Sequence, residues 1–307
     1  MKKLILITGS SGFVGLNLTD YLQKKGYSVN GISRAAKNEN EITYNSLNQQ
    51  VWDTSSAMVH AAGKAHDLKK TAAESEYFEI NTELTKKLFD AFLKSQTKVF
   101  IYISSVKAAA DKVENILEED DLPTPVTAYG KSKLEAEHYI QSKEIPYGKR
   151  VYILRPCMIH GPNNKGNLNL LYSFVAKGIP YPLGNYKNER SFVSIENLCF
   201  VINELIENNI ASGVYNVADD EALSTNTLVQ IIGEVTGKSA KIWNVPEIII
   251  NFIAKLGDIL PLPISSERLD KLTENYRVSN KKLKLALGKE LPINTKQGLK
   301  STIKSFQ

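Results

Sequence analysis

The chain has 307 residues, 42% of them hydrophobic and 23% charged, and a net charge of +5. That is enough apolar material for one large core or two closely joined ones. The basic residues are spread out with no aromatic-interleaved patch, which argues against a nucleic-acid partner. No apolar stretch has spanning length, so integral membrane contact is not expected. The only cysteines, Cys157 and Cys199, form no disulfide framework and fit a reducing compartment, so a cytoplasmic location is expected.

Leu4–Thr8 (LILIT) is a short β-branched run. Its apolar core is too short for a secretion signal and runs straight into a glycine turn, so it reads as a first strand. The turn is Gly9-Ser-Ser-Gly12-Phe13-Val14-Gly15, spaced GxxGxxG rather than GxGxxG, with a helical pattern over 13–25 behind it. Glycines between strand and helix let the backbone approach a pyrophosphate and leave helix N–H groups facing it. Strand-like and helical segments then alternate: strands at 27–32, 57–61, 98–104 and 150–155, and helices at 75–95 and 128–142. The Asn/Gln/Ser-rich passage 38–56 is compressed, and 120–127 approaches the last of these helices irregularly. This rhythm predicts an α/β fold with a doubly wound parallel sheet.

Further on, VSIENLCFVINELIEN reads as a helix, GVYNV at 213–217 as a strand, and LSTNTLVQIIGEVTG as a helix capped by Ser224 or Thr225. The expected division is a dinucleotide-binding domain from 1–162 and 191–217, and a smaller discontinuous substrate lobe from 163–190 and 218–307. Pro246–Ile264 is apolar but too short and interrupted to span a bilayer. Packing on the core of the substrate lobe is expected there, with cover for a ligand, a dimer contact or peripheral membrane association as alternatives.

The chemistry centres on Tyr129-Gly-Lys-Ser-Lys133, read together with Ser105. On a helix, Tyr129 and Lys133 stand at i and i+4 and share a face. An adjacent ammonium stabilises phenolate and would lower the tyrosine pKa toward working pH. Ser105 follows the apolar run Val99–Ile103, which places it at the carboxyl edge of the sheet, where such folds bind ligands.

Strand, glycine turn, Ser and YxxxK in this order resemble the extended short-chain dehydrogenase/reductases of the NAD-dependent epimerase/dehydratase family. His60-Ala61-Ala62-Gly63, Asn81, Leu154-Arg155-Pro156 with His160-Gly161-Pro162, and Arg190-Ser-Phe-Val-Ser-Ile-Glu-Asn197 extend the likeness over nearly the whole chain. The resemblance implies that Tyr129 transfers the proton, Lys133 tunes it and holds the nicotinamide ribose, and Ser105 hydrogen-bonds the reacting oxygen. Gly9, Gly12, Phe13, Val14, Gly15, Ala61, Ala62, Gly63, Asn81, Ser104 and Pro156 would shape the cofactor site. Ser33 stands where the family's NAD-binding members carry Asp, and Arg34 follows with Lys37 close by. A guanidinium there can stack on adenine and pair with a 2′-phosphate. NADP(H) is therefore favoured over NAD(H), the alternative being a solvated Arg34. The family's Asp near the adenine is also missing, with Asn45 or Ser46 in its place.

Val106-Lys107 stands where the family's 4,6-dehydratases have Asp-Glu, and no cysteine follows Ser105 as it does in the 3,5-epimerase/reductases. Cys157 and His160 are read as a buried cysteine and a loop histidine rather than an acid/base pair. By resemblance, Arg190 would meet a diphosphate, Asn167-Leu168 the nucleotide, and Leu183 the uracil, with Arg268 as a second phosphate contact. HAAGKAHDL, IPYPLG and RSFVSIENL look most like bacterial reductases of UDP-4-keto-6-deoxy-N-acetylhexosamines. The expected substrate is thus a UDP-linked sugar, with a 4-epimerase holding NAD as the alternative and a noncatalytic dinucleotide sensor as a third, disfavoured by the intact Ser, Tyr and Lys. A homodimer through helices 75–95 and 128–142 is the default.

Overall fold

The computed structural model describes residues 2–36, 40–64, 73–164, 167–260 and 265–307, and of Asn167 the backbone only. Strands β1 (Leu4–Thr8), β2 (Ser28–Ser33) and β3 (Glu41–Thr43) are followed by β4 (Ala57–His60), β5 (Val99–Ile103), β7 (Arg150–Pro156) and β10 (Gly213–Val217) in one parallel sheet. Their spatial order is β10-β7-β5-β4-β1-β2-β3, the doubly wound arrangement expected from the alternation of elements. The strands are continuous apolar runs because both faces are covered. Side-chain alternation divides β1 between two cores. Ile5 and Ile7 enter one beneath helices α1 (Phe13–Lys24) and α7 (Ile195–Glu207). Leu6 enters the other, with Phe89, Phe100 and Tyr102.

The passage 38–56 holds β3, a 3-10 turn over Tyr44–Ser46 and the short helix α2 (Gln49–Thr54), capped by the Asn48 side chain. Such short elements leave no periodicity to read. The helix expected at 75–95 is interrupted: α3 (Glu74–Tyr77) passes through a π-helical segment, Phe78–Glu83, into α4 (Leu84–Lys94). Helix α5 (Ala128–Gln141) packs against that segment. Its start is pinned by the Asp111 carboxylate, which accepts from the Val126 and Thr127 N–H groups at 2.7 and 3.1 Å.

Two small parallel pairs lie outside the main sheet: β6 (Ile116–Leu117) with β11 (Arg277–Val278), and β8 (Met158–His160) with β9 (Phe192–Ser194). The segment VSIENL is therefore strand before it is helix. A third core gathers α6 (Asn167–Ala176), α8 (Thr225–Thr236), α9 (Glu247–Gly257), α10 (Ser266–Thr273) and α12 (Thr295–Lys304), with α11 (Lys281–Leu287) packed on the first core instead. Ser224 caps α8 as expected, accepting from Thr227 N–H at 3.0 Å. Helix α9 packs on the third core only in part. Only Ile250 and Ala254 are buried, and most of its other apolar side chains are exposed. No helix among the described residues is long and apolar enough to cross a membrane.

Candidate functional site

The glycine turn lies at the carboxyl end of β1. Gly9 has φ +69°, and a Cβ there would stand 2.7 Å from the Ala62 backbone nitrogen, so both its conformation and the close passage of the β4 exit exclude a side chain. Gly12 caps α1 without a side-chain hydrogen bond, and the first intrahelical bond runs from Leu16 N–H to the Gly12 carbonyl at 2.9 Å. The N–H groups of Phe13, Val14 and Gly15 thus have no intrahelical acceptor, as an anion site at a helix start requires. The buried Ser10 hydroxyl beside Gly31 has no hydrogen-bond partner. An orphan donor and a cradle that tolerates no Cβ both suit the pyrophosphate and ribose of a dinucleotide.

Across β4, Ala62 N–H donates to Thr8 Oγ1 at 3.0 Å. Asn81, in the π segment, accepts from Lys64 N–H at 2.8 Å and donates to Ser132 Oγ at 3.0 Å. A Cβ at Gly63 would lie 2.9 Å from Asn81 Oδ1 and 3.0 Å from Lys133 Nζ, so the Ala61–Gly63 backbone borders the catalytic column. A π bulge at such a place is a frequent companion of function.

Tyr129 and Lys133 stand one turn apart on α5. Tyr129 is hydrogen-bonded with Ser105, the residue after Ser104 at the end of β5. Lys133 Nζ donates to the Ile103 carbonyl at 2.9 Å and lies over the Tyr102 ring. Burial lowers the Lys133 pKa to about 8, opposed by Glu137 one turn further on. Burial also raises the Tyr129 phenol above its ordinary value, against the Ser105 hydrogen bond. The expected lowering of the tyrosine by Lys133 is not found: burial raises the phenol, and the ammonium is turned to the Ile103 carbonyl. At neutral pH the site holds a phenol and an ammonium.

At the opposite edge, Arg190 donates from Nη2 to Glu274 at 2.9 Å and from Nη1 to the Lys271 carbonyl of α10 at 2.8 Å. Lys107, two residues after Ser105, reaches the Asp111 carbonyl at 2.7 Å and lies 4.2 Å from the Tyr276 ring centroid. Burial pulls its pKa down, while Glu274 and Asp111 push it up.

Residues 5–218 match the model of the NAD dependent epimerase/dehydratase family. The chain belongs to this family. It is 32% identical to a UDP-glucose 4-epimerase of Vibrio cholerae over all of this chain and 96% of that one. Among solved structures it resembles MoeE5 in complex with UDP-glucose and NAD, with TM-score 0.76, 21% identity and coverage of 98% and 97% of the two chains. It also resembles RMD from Pseudomonas aeruginosa complexed with NADPH, with TM-score 0.72, 21% identity and 99% of both chains covered. Relatives of the chain also include a GDP-6-deoxy-D-mannose reductase of Pseudomonas aeruginosa, 24% identical over 76% of this chain and 81% of that one.

Other residues read against the family pattern fall as follows. Ser33 closes β2 with its hydroxyl on the Ala35 carbonyl at 2.8 Å, and Arg34 beside it is exposed. Lys37 lies outside the described residues. Ser46 is taken up by Thr43 Oγ1 at 2.9 Å. Pro156 ends β7 in register with Val217. Leu168 and Leu183 are buried in the third core, Asn167 opens α6, and Arg268 is exposed on α10. Cys157 is buried as expected. His160 is not in a loop: it ends β8, is buried, and its Nδ1 shares a hydrogen bond with Thr302 Oγ1 at 2.9 Å.

The sequence reading missed the floor of the site. Glu137 takes Arg155 Nε at 3.1 Å on both oxygens and Nη2 at 2.6 Å, and also accepts from Ser104 Oγ. A signal was present, since Glu137 continues the Tyr129–Lys133 spacing and Arg155 interrupts an apolar strand. His60 was also missed as a core group. It sits between Thr8 Oγ1 at 2.6 Å and Thr85 Oγ1 at 2.9 Å, and burial lowers its pKa to about 3.

Proposed function

We propose that this chain carries out NADP(H)-dependent reduction of the 4-keto group of a UDP-4-keto-6-deoxy-N-acetylhexosamine, a step in making surface polysaccharide precursors. The observation that carries the reading is the end of β2. A serine turned to its own backbone and an exposed arginine stand there in place of a carboxylate that would repel a 2′-phosphate, while Glu41 of β3 pairs with Gly31 two residues earlier. Val106-Lys107 beside Ser105 supplies no carboxylate for dehydration, which agrees with a reductase. In this reading, residues 1–162 and 191–217 hold the dinucleotide, 163–190 and 218–307 hold the nucleotide sugar, and two chains pair through α3–α5.

When bound, the cofactor supplies hydride to the C4 ketone. Ser105 holds the ketone oxygen, and Tyr129 gives its proton to the alkoxide as it forms. Lys133 keeps a positive charge beside the resulting phenolate and holds the nicotinamide ribose. Gly9–Gly15, Ala61–Gly63, Asn81, Ser104 and Pro156 line the dinucleotide. Arg190 takes the diphosphate with Arg268 as a second contact, Asn167-Leu168 meet the nucleotide and Leu183 flanks the uracil.

The test is nicotinamide absorbance with UDP-4-keto-6-deoxy-GlcNAc generated in situ. Stoichiometric NADPH oxidation is expected, much slower with NADH, and Tyr129→Phe should lower turnover by about 10²–10⁴-fold. A second reading, a 4-epimerase with retained NAD, is favoured by the likeness to the Vibrio cholerae enzyme. Interconversion of UDP-GlcNAc and UDP-GalNAc without net oxidation would establish it and sink the reductase.

A further inference from the structure

Helix α9 presents apolar side chains on two opposite sides. Ile250 and Ala254 enter the third core. On the other side Ile248 is 83%, Phe252 62% and, two residues past the helix, Ile259 84% exposed, with Ile249, Ile253 and Leu256 beside them. A contiguous exposed apolar face of this kind marks an interaction surface. At 11 residues it is too short to span a bilayer.

We infer that this face docks on the surface of an anionic lipid bilayer, with α9 lying in the interface. Three features select that occupant. Trp243 is 57% exposed just before the helix, and tryptophan favours the headgroup level of a membrane. Lys187, Lys241 and Lys255 are exposed on and beside the helix with no ion pair among the described residues. The carboxylates on and beside the helix are Glu247 in its first turn and Asp258, which holds Ser266 N–H and Oγ at 2.9 and 2.6 Å, so the three lysines outnumber them. A basic rim around an apolar face matches anionic headgroups over acyl chains.

A second copy of the chain fits less well. Eleven residues make a helix about 16 Å long and about 10 Å wide, well below the roughly 800 Å² per partner of a stable interface. The inference does not depend on which reaction the site performs.

The experiment is co-sedimentation of the full chain with extruded vesicles of phosphatidylcholine alone and of phosphatidylcholine with phosphatidylglycerol, 3:1. The wild-type chain should pellet with the anionic vesicles. The double variant Ile248→Asp/Phe252→Asp, altered only at exposed positions, should lose about tenfold or more in partitioning with its circular dichroism unchanged. Lys255→Gln should cost about fivefold on anionic vesicles alone. Emission gives a second readout, because Trp52 is buried and Trp243 is not. A blue shift with anionic vesicles should vanish in Trp243→Phe. Wild-type protein that stays in the supernatant with both vesicles overturns the inference, as does a double variant that still pellets. A dimer in vesicle-free solution that the double variant dissociates overturns it in favour of self-association.

Discussion

Two arginine–glutamate pairs flank the site, one in its floor and one at its rim. The Arg155–Glu137 pair has side chains 4% and 0% exposed, three guanidinium contacts and a further hydroxyl from Ser104. The Arg190–Glu274 pair has one carboxylate contact at 2.9 Å and side chains 20% and 21% exposed. In the floor neither charge can trade its partner for water, so strand β7, the end of β5 and helix α5 are locked together behind Tyr129 and Lys133. At the rim both charges can. A sealed pair keeps reacting groups in place, whereas a half-open pair holds a cation that an incoming anion can take over.

The sharpest way to break this contrast is Glu137→Ala. Leaving Arg155 buried and unpaired should cost about 3–5 kcal/mol, read as a lower urea midpoint. Lys133→Met should act in the opposite direction. The folded-state pKa of Lys133 is about 8, against about 10.5 for a lysine in water. Between those values the unfolded chain therefore binds the extra proton, and wild-type stability rises with pH. The burden of burying Lys133 is full below about pH 8 and relieved toward 10.5. Lys133→Met should thus be more stable than wild type by on the order of 1–3 kcal/mol at pH 7, with the gap closing by pH 10.5 and activity lost throughout. A gap that grows with pH would show that Lys133 is not buried as an ammonium.

The column Tyr129–Lys133 and the glycine turn were legible because their chemistry lies in local spacing, which one helix or one strand-to-helix turn converts directly into proximity. The floor was not legible. Glu137 looks like any charged residue on an exposed helix, and its partner Arg155 is 18 residues away on a different element. Glu274 escaped notice for the same reason, lying 84 residues from Arg190. The parallel sheet could be read from alternating runs, but β3, α2 and the β6–β11 and β8–β9 pairs are too short to carry a period. Helix α9 was placed only in part, because apolar content reports that a face seeks a partner without saying whether the chain supplies it.

Removing the rim cation should affect ligand more than fold. Arg190→Ala should raise the KM for a nucleotide-sugar diphosphate by about 10–100-fold, the worth of one charge-assisted contact. Its backbone pairs with Leu223 are untouched, so stability should move by no more than about 1 kcal/mol. At the far end of the cleft, Arg34→Glu should move the preference between NADPH and NADH by about tenfold toward NADH, measured as the ratio of kcat/KM for the two. No change there would leave Arg34 a solvated side chain.

The smallest effect is the most discriminating. Glu274 competes with an incoming diphosphate for Arg190, while the Lys271 carbonyl holds the same guanidinium from its other nitrogen. Glu274→Gln removes the competing charge and leaves that second tether, so Arg190 should stay in place. Its KM should therefore fall by about two- to fivefold, with stability changed by less than about 1 kcal/mol, as for any half-exposed pair. A rise in KM would mean that Glu274 aims Arg190 rather than competing for its charge. The rim pair would then be as fixed in function as the pair beneath Tyr129, only less deeply buried.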